Sequence, residues 1–191
     1  MARTKNLELH DQRRAEILLA AARVFKAKGF HLARTEDICQ DAGMSAGTLF
    51  RHFATKQAMI AAIAQVEFES YRADLERIAT KNGLEWLSCL NEQGLEALLT
   101  PTAYDLGADS WLELIRDPEG RAQVLQFDKH LRTILTRELV HGQKAGWVRP
   151  GLDAAGAANL LLAIISGLHF DVQIGAETHG VATLCIEPAH S

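Results

Sequence analysis

The stretch that decides the fold is Thr35-Glu-Asp-Ile-Cys-Gln-Asp-Ala-Gly-Met-Ser-Ala-Gly-Thr-Leu-Phe-Arg-His-Phe-Ala-Thr-Lys56. Thr35 can cap a short helix over Glu36 to Ala42, and Gly43 can end it in a left-handed turn. Ser45 can cap a second short helix, about Ala46 to His52, and Thr55 a long one beginning at Lys56. Ile38 and Leu49 are placed to pack the two short helices onto one apolar surface, and Phe53 closes the seam beneath the second. Two short helices joined by a glycine turn, behind a longer supporting helix, make a helix-turn-helix arrangement.

The supporting helix lies upstream. Ile17, Ala21, Val24 and Phe25 recur at helical spacing, which predicts a first helix from about Asp11 to Lys28, stopped by Gly29. Downstream, the helix from Lys56 runs to about Thr80, with Phe68, Tyr71, Leu75 and Ile78 on one stripe. Leu84 to Leu99 reads as helix, and Pro101 and Pro118 bracket a segment around Trp111, Leu114 and Ile115. Two longer helices close the pattern, about residues 121–145 and 153–174, separated by a Gly146-Trp-Val-Arg-Pro-Gly151 turn. The last is apolar almost all round through Ile165, so it must be covered on most sides. The tail from Ala176 has no firm pattern. The fold class is all-α.

Net charge is −4, which by itself argues against a polyanion partner. Resolved along the chain it reads differently. Residues 1–56 hold ten Lys/Arg against six Asp/Glu, a net of +4, and residues 57–191 carry a net of −8. A basic head on an acidic body suggests that one end meets a polyanion. Hydrophobic residues make up 48% and charged residues 23%, an ordinary globular balance. The longest apolar run, Leu160 to Ile165, is far short of the roughly 18 residues of a membrane span, so no membrane is expected. Cys39, Cys89 and Cys185 lie far apart, which fits a reducing, cytoplasmic setting and no zinc site. His130, His141 and His169 show no metal-ligand spacing, so no metal is expected. There is no Gly-rich phosphate loop, G-x-S-x-G turn or H-E-x-x-H helix, so neither an enzyme nor a cofactor is expected.

Residues 14–63 resemble the DNA-binding domain of the TetR family of bacterial transcriptional regulators. The likeness is carried by Ile17, Ala21, Val24-Phe25 and Gly29-Phe30, then Asp37-Ile38, Ala42-Gly43-Met44-Ser45-x-Gly47-Thr48-Leu49-Phe50-x-His52-Phe53-x-x-Lys56. The rest matches only in outline, as a helical ligand and dimer domain. The resemblance implies residues 1–56 as the DNA-binding domain, residues 57–191 as a helical ligand-binding and dimerisation domain, and repression relieved by ligand. The alternatives are an activator or a ligand-independent architectural DNA binder.

Within the reading head, Ser45, Ala46, Gly47 and Thr48 occupy the helix end that would enter a major groove. Gly47 allows close backbone approach, Ala46 can touch a thymine methyl, and Thr48 can bond a base edge or phosphate. Arg51 can make a bidentate contact to guanine, or hold a phosphate instead. The resemblance further implies that Thr35, His52 and Lys56 grip the phosphate backbone. It also shows a departure: Phe50 stands where the family most often has tyrosine, so a phenolic hydroxyl is missing there.

One reading helix gives little affinity, so a homodimer on an inverted repeat of double-stranded DNA is expected, with the last two helices as its surface. Tyr71, Trp86, Trp111, Phe127 and His169 are the candidate lining of a pocket for a mostly apolar small molecule.

Overall fold

The computed structural model describes residues 2–89 and 91–176, so the patternless tail beyond Ala176 lies outside the described residues. Nine helices and no strand occur among them: α1 (Ala2–Lys28), α2 (Thr35–Asp41), α3 (Ala46–His52), α4 (Lys56–Ile78), α5 (Lys81–Ser88), α6 (Glu92–Leu99), α7 (Ala108–Arg116), α8 (Pro118–Ala145) and α9 (Ala154–Gln173). The fold is all-α.

Most boundaries have a local cause. Gly29 and Gly43 take the left-handed φ values of +75° and +63° that end α1 and α2. Ser45 Oγ accepts from the Thr48 amide at 3.3 Å, and Asp153 Oδ1 from the Gly156 amide at 3.1 Å, capping α3 and α9. α2 begins one residue earlier than its sequence suggests. Arg34 is extended at the cap position, and Asp37 Oδ2 accepts its amide at 3.0 Å. α1 starts at Ala2 rather than near Asp11, since neither proline nor glycine interrupts the intervening stretch. Arg3 and Lys5 therefore belong to that helix. α8 starts at Pro118, where a missing amide costs nothing. The expected helix over Leu84 to Leu99 is two helices. Thr80 Oγ1 caps α5 through the Gly83 amide (3.0 Å), and Asn91 Oδ1 caps α6 through the Gly94 amide (2.8 Å).

The chain forms two compact units that cut across the sequence order. The first comprises Met1–Glu69 with Pro101–Gln123, and the second Ser70–Thr100 with Val124–Ser191. The division at residue 56 read from the sequence does not coincide with these units, because the segment bearing α7 folds onto the N-terminal helices.

In the first unit, Ile17, Ala21 and Phe25 of α1, Ile38 of α2, Leu49 of α3 and Ile63 of α4 are fully buried. They form one core, with Leu106 and Leu114 contributed from the 101–123 segment. The Arg14 guanidinium lies 4.6 Å over the Phe53 ring, and Phe25 packs on Phe30 at 5.6 Å. At about 25 cal/mol per Å² of apolar surface, each buried Ile, Leu or Phe of this core contributes roughly 1.5–3 kcal/mol.

In the second unit, Leu75, Ala79, Ile134, Leu135, Leu139, Ala154, Ala158 and Leu162 form a core between α4, α8 and α9. A turn holds α8 to α9: a Cβ on Gly142 would sit 2.6 Å from Val148 and 2.7 Å from Trp147, so only glycine admits this close return. The Gln143 amide secures it by donating to the carbonyls of Arg149, Pro150 and Leu152. Arg132 joins the helices by bonding Asp128 on α8 and Asn159 on α9. α9 nevertheless leaves Leu160, Ile164 and Phe170 about half exposed or more. By length and composition it could cross a membrane, with mean hydropathy 1.5 over its most apolar window and 11% of that window buried.

Candidate nucleic-acid interface

α3 has one buried face and one open face. Leu49 is fully buried, while Ser45, Ala46, Gly47, Phe50 and Arg51 are exposed and Thr48 and His52 are half-buried. The split follows from helical spacing, since Leu49 points into the core while its neighbour Phe50 falls on the open side. The open face is also organised. Ser45 Oγ lies 3.1 Å from Thr48 Oγ1, and Arg51 Nη2 donates to Thr48 Oγ1 at 3.4 Å. The Ser45 hydroxyl is engaged by the cap, and Thr48 holds the guanidinium toward the start of the helix. Gly47 has an ordinary helical backbone, and a Cβ there would meet nothing nearer than Ser45 Oγ at 4.0 Å. The fold itself does not need glycine at this position, and the space a side chain would fill faces outward.

The other expected contact residues are set less simply. Thr35 is the first residue of α2 and is half-buried. Lys56 Nζ donates to the carbonyls of Phe30 (2.6 Å) and Ala33 (2.8 Å) and lies 4.5 Å over the Phe30 ring. Two of its three protons therefore tie α4 to the turn before α2. Lys56 acts as a brace within the head, leaving one N–H for an outside acceptor. Phe50, the residue replacing tyrosine, has 52% of its surface exposed.

His52 stacks on His10 of α1 at 4.5 Å between ring centroids, and its buried Nδ1 has no hydrogen-bond partner. Its pKa is held below the usual histidine value, first by burial and then by His10, Arg51 and Arg14 nearby. The ring thus favours its neutral form. Sequence reasoning missed His10 and Arg14. Both lie on α1, about five and four turns before its end, and only folding brings them beneath α3.

A third contact set was also missed. Asp105 Oδ2 accepts from Lys26 Nζ at 2.6 Å, and Asp109 Oδ2 from the Phe30 amide at 2.6 Å. Glu113 Oε1 pairs with His31 Nε2 at 3.1 Å. These acids recur every four residues, at and before α7, and hold the end of α1 and the turn after it. Their spacing is legible in the sequence, but their partners are some 80 positions away.

The candidate pocket residues fall into separate groups. Trp111 belongs to the first unit and packs on Phe68 at 5.7 Å. Tyr71, Trp86, Phe127 and His169 belong to the second. There Tyr71 meets His169 edge-on at 5.5 Å, and His169 Nδ1 donates to the Ile165 carbonyl at 3.0 Å. Phe127 is half-buried and Trp86 is 43% exposed.

Comparison with known proteins bears on both units. The family model described as bacterial regulatory proteins, tetR family, matches residues 17–63. That of the BetI-type transcriptional repressor, C-terminal, matches residues 91–184. The chain is 27% identical over 167 residues to the HTH-type transcriptional regulator UidR of Escherichia coli (strain K12), covering 84% of this chain and 81% of that protein. It is 28% identical over 190 residues to the uncharacterized HTH-type transcriptional regulator YfiR of Bacillus subtilis (strain 168), covering 92% and 89%. Among solved structures, Salmonella enterica GusR superposes with a TM-score of 0.66 at 23% identity over 91% of each chain. The regulator FadR from Bacillus subtilis in complex with stearoyl-CoA does so with a TM-score of 0.60 at 23% identity, over 84% of this chain and 88% of that one.

Proposed function

The chain belongs to the TetR family, as a DNA-binding transcriptional regulator with a BetI-type C-terminal region and not an enzyme, and from that premise we propose that it is a homodimeric repressor released from an inverted-repeat operator by a small molecule. The observation that carries the DNA-reading assignment is the open face of α3. Ala46, Gly47 and Arg51 stand exposed and Thr48 half-buried on a helix anchored by the fully buried Leu49. A helix entering the major groove end-on brings such residues to base edges, and its positive N-terminal dipole faces phosphate. Such a regulator works in the cytoplasm, where bacterial DNA lies.

The exposed apolar residues of α9 support the dimer. Leu160, Ile164 and Phe170 would be left in water by a monomer, and an isologous four-helix contact of α8 and α9 removes them from it. The same contact accounts for an α9 as apolar as a membrane span. Two reading helices are then about 34–36 Å apart, one turn of DNA. α4 supplies residues to both compact units, and its 23 residues run about 34 Å. A mostly apolar ligand held by the second unit would act through this helix. It can shift the operator-bound population only by its differential affinity, typically about 1–3 kcal/mol.

Selection of bound DNA from a random pool is the direct test. An enriched inverted repeat with half-sites about 10 base pairs apart is expected, and a pool that stays random rejects the proposal. Binding should also weaken by about 0.9 log units per contacted phosphate for each tenfold rise in salt. Titration at several salt concentrations measures that slope, and a slope near zero removes the phosphate contacts.

A phosphate beside His52 would draw a proton onto it, raising a pKa that the free protein holds below 6.5. The complex then holds more protons than its free components over the interval between those two pKa values, and affinity rises as pH falls through it. Operator affinity measured from pH 8 down to 5.5 should climb, and His52→Gln should flatten the climb. Equal profiles would show that His52 makes no phosphate contact.

A further inference from the structure

The first unit buries a carboxyl group that no DNA contact uses. Glu67 on α4 is 1% exposed, and neither of its carboxyl oxygens has a hydrogen-bond partner. Ser110 on α7 is fully buried, and its hydroxyl likewise has none. The Phe68–Trp111 contact at 5.7 Å packs these stretches of α4 and α7 against each other. Two charged groups face Glu67: Asp105 from the segment before α7, and Lys26 from α1. Lys26 Nζ is already bonded to Asp105 Oδ2 at 2.6 Å, so its charge is largely answered before Glu67 can use it. An ionised Glu67 would be a buried anion beside another anion, with no donor. Burial first, and then Asp105, push its pKa up to about 8, with Lys26 opposing.

This carboxyl faces Asp105, the first acid of a ladder. Asp105, Asp109 and Glu113 hold Lys26, the Phe30 amide and His31, the end of α1 and the turn that leads into α2. The contact is close: a Cβ on Gly29 would stand 2.9 Å from Asp109 Oδ2. We infer that Glu67 is a proton-linked latch on the reading head: its carboxyl must carry a proton for α7 to stay against α1 and α4, and loss of that proton frees the ladder from Lys26, Phe30 and His31. The inference rests on the DNA-reading role of α3 only where it predicts DNA affinity.

The direction follows from linkage. In the closed head Glu67 holds its proton up to about pH 8, and in an opened head that water reaches it releases it above its ordinary value of 4.5. Between those values the opened head binds one proton fewer. Its population relative to the closed head therefore rises about tenfold per pH unit, and levels off above about 8. Raising the pH from 6 to 8 should open the head about fiftyfold more often.

Amide hydrogen exchange on the full-length free protein reads this opening at the Phe30 amide, which Asp109 holds. After correction for intrinsic rates, Phe30 protection should fall about fiftyfold in all between pH 6 and 8, and should stay below that of Phe25 in the α1 core. Glu67→Gln, which imitates the neutral carboxyl, should abolish the Glu67 share of that slope. Asp105→Asn is the second variant. It removes the facing anion and leaves Lys26 free to face Glu67, so the slope should end at lower pH. A flat wild-type profile, an unchanged slope in Glu67→Gln, or Phe30 exchanging no faster than Phe25 would each overturn the latch. On selected DNA, wild-type affinity should fall from pH 7 to 9 more steeply than that of Glu67→Gln. Exchange is measured without DNA, so failure to bind any operator counts against the DNA reading, and the exchange profiles alone decide the latch.

Discussion

In the proposed dimer, Ile164→Glu should convert the protein to a monomer at micromolar concentration and abolish operator binding, while leaving the fold intact. Ile164 is 49% exposed on α9 and lies outside the buried set of Leu75, Leu135, Leu139, Ala158 and Leu162, so the monomer loses little. In an isologous contact every substitution acts twice. Two carboxylates taken out of water without partners cost several kcal/mol each, so dimer affinity should fall by about 10⁴-fold or more. Operator binding falls with it, because one reading helix keeps only half of the base and phosphate contacts. Sedimentation equilibrium gives the mass and circular dichroism the helix content. Ile164→Met, which keeps the apolar surface, should remain dimeric. A dimer that survives Ile164→Glu would place the interface elsewhere than α9.

Arg51→Ala carries the second large effect. The guanidinium is exposed on α3, its hydrogen bond runs to Thr48 Oγ1, and nothing in the core depends on it. A bidentate contact to guanine contributes about 1–3 kcal/mol of discrimination, and the proposed dimer would make it twice. Affinity for the selected operator should drop about thirty-fold to ten-thousand-fold, with preference lost at one position of each half-site. Selection with the variant tests this directly. A uniform loss across sequences, together with a shallower salt slope, would move Arg51 to a phosphate. Unchanged affinity and preference would remove it from the interface.

The structure also changes how Lys56 is understood. The family resemblance makes it a phosphate contact, and its place at the start of α4 suits an anion. In the folded head its ammonium is shared with the carbonyls of Phe30 and Ala33 and with the face of the Phe30 ring. It therefore first positions the turn before α2 and offers at most its remaining proton outward.

The buried acid has a parallel history. Glu67 lies one residue from the apolar stripe of α4, and nothing in its neighbours along the chain marks it as buried. Asp105 and Lys26 supply its unfavourable setting, from segments 38 and 41 positions away in the sequence.

The sequence by itself determined most of the elements and which side of α3 faces the core. Capping by Ser45 and Asp153, the glycine stops at 29 and 43, and the burial of Ile38 and Leu49 all follow from rules that act over three or four residues. Such rules survive in a linear string. They fail over Leu84 to Leu99, where the apolar spacing carries on through the break between α5 and α6. Only the tertiary structure decided that α7 packs with the reading head, that Asp105, Asp109 and Glu113 hold its first turn, and that His10 lies against His52. These contacts depend on where the chain returns after tens of residues, and periodicity reports which face of a helix is covered without naming what covers it.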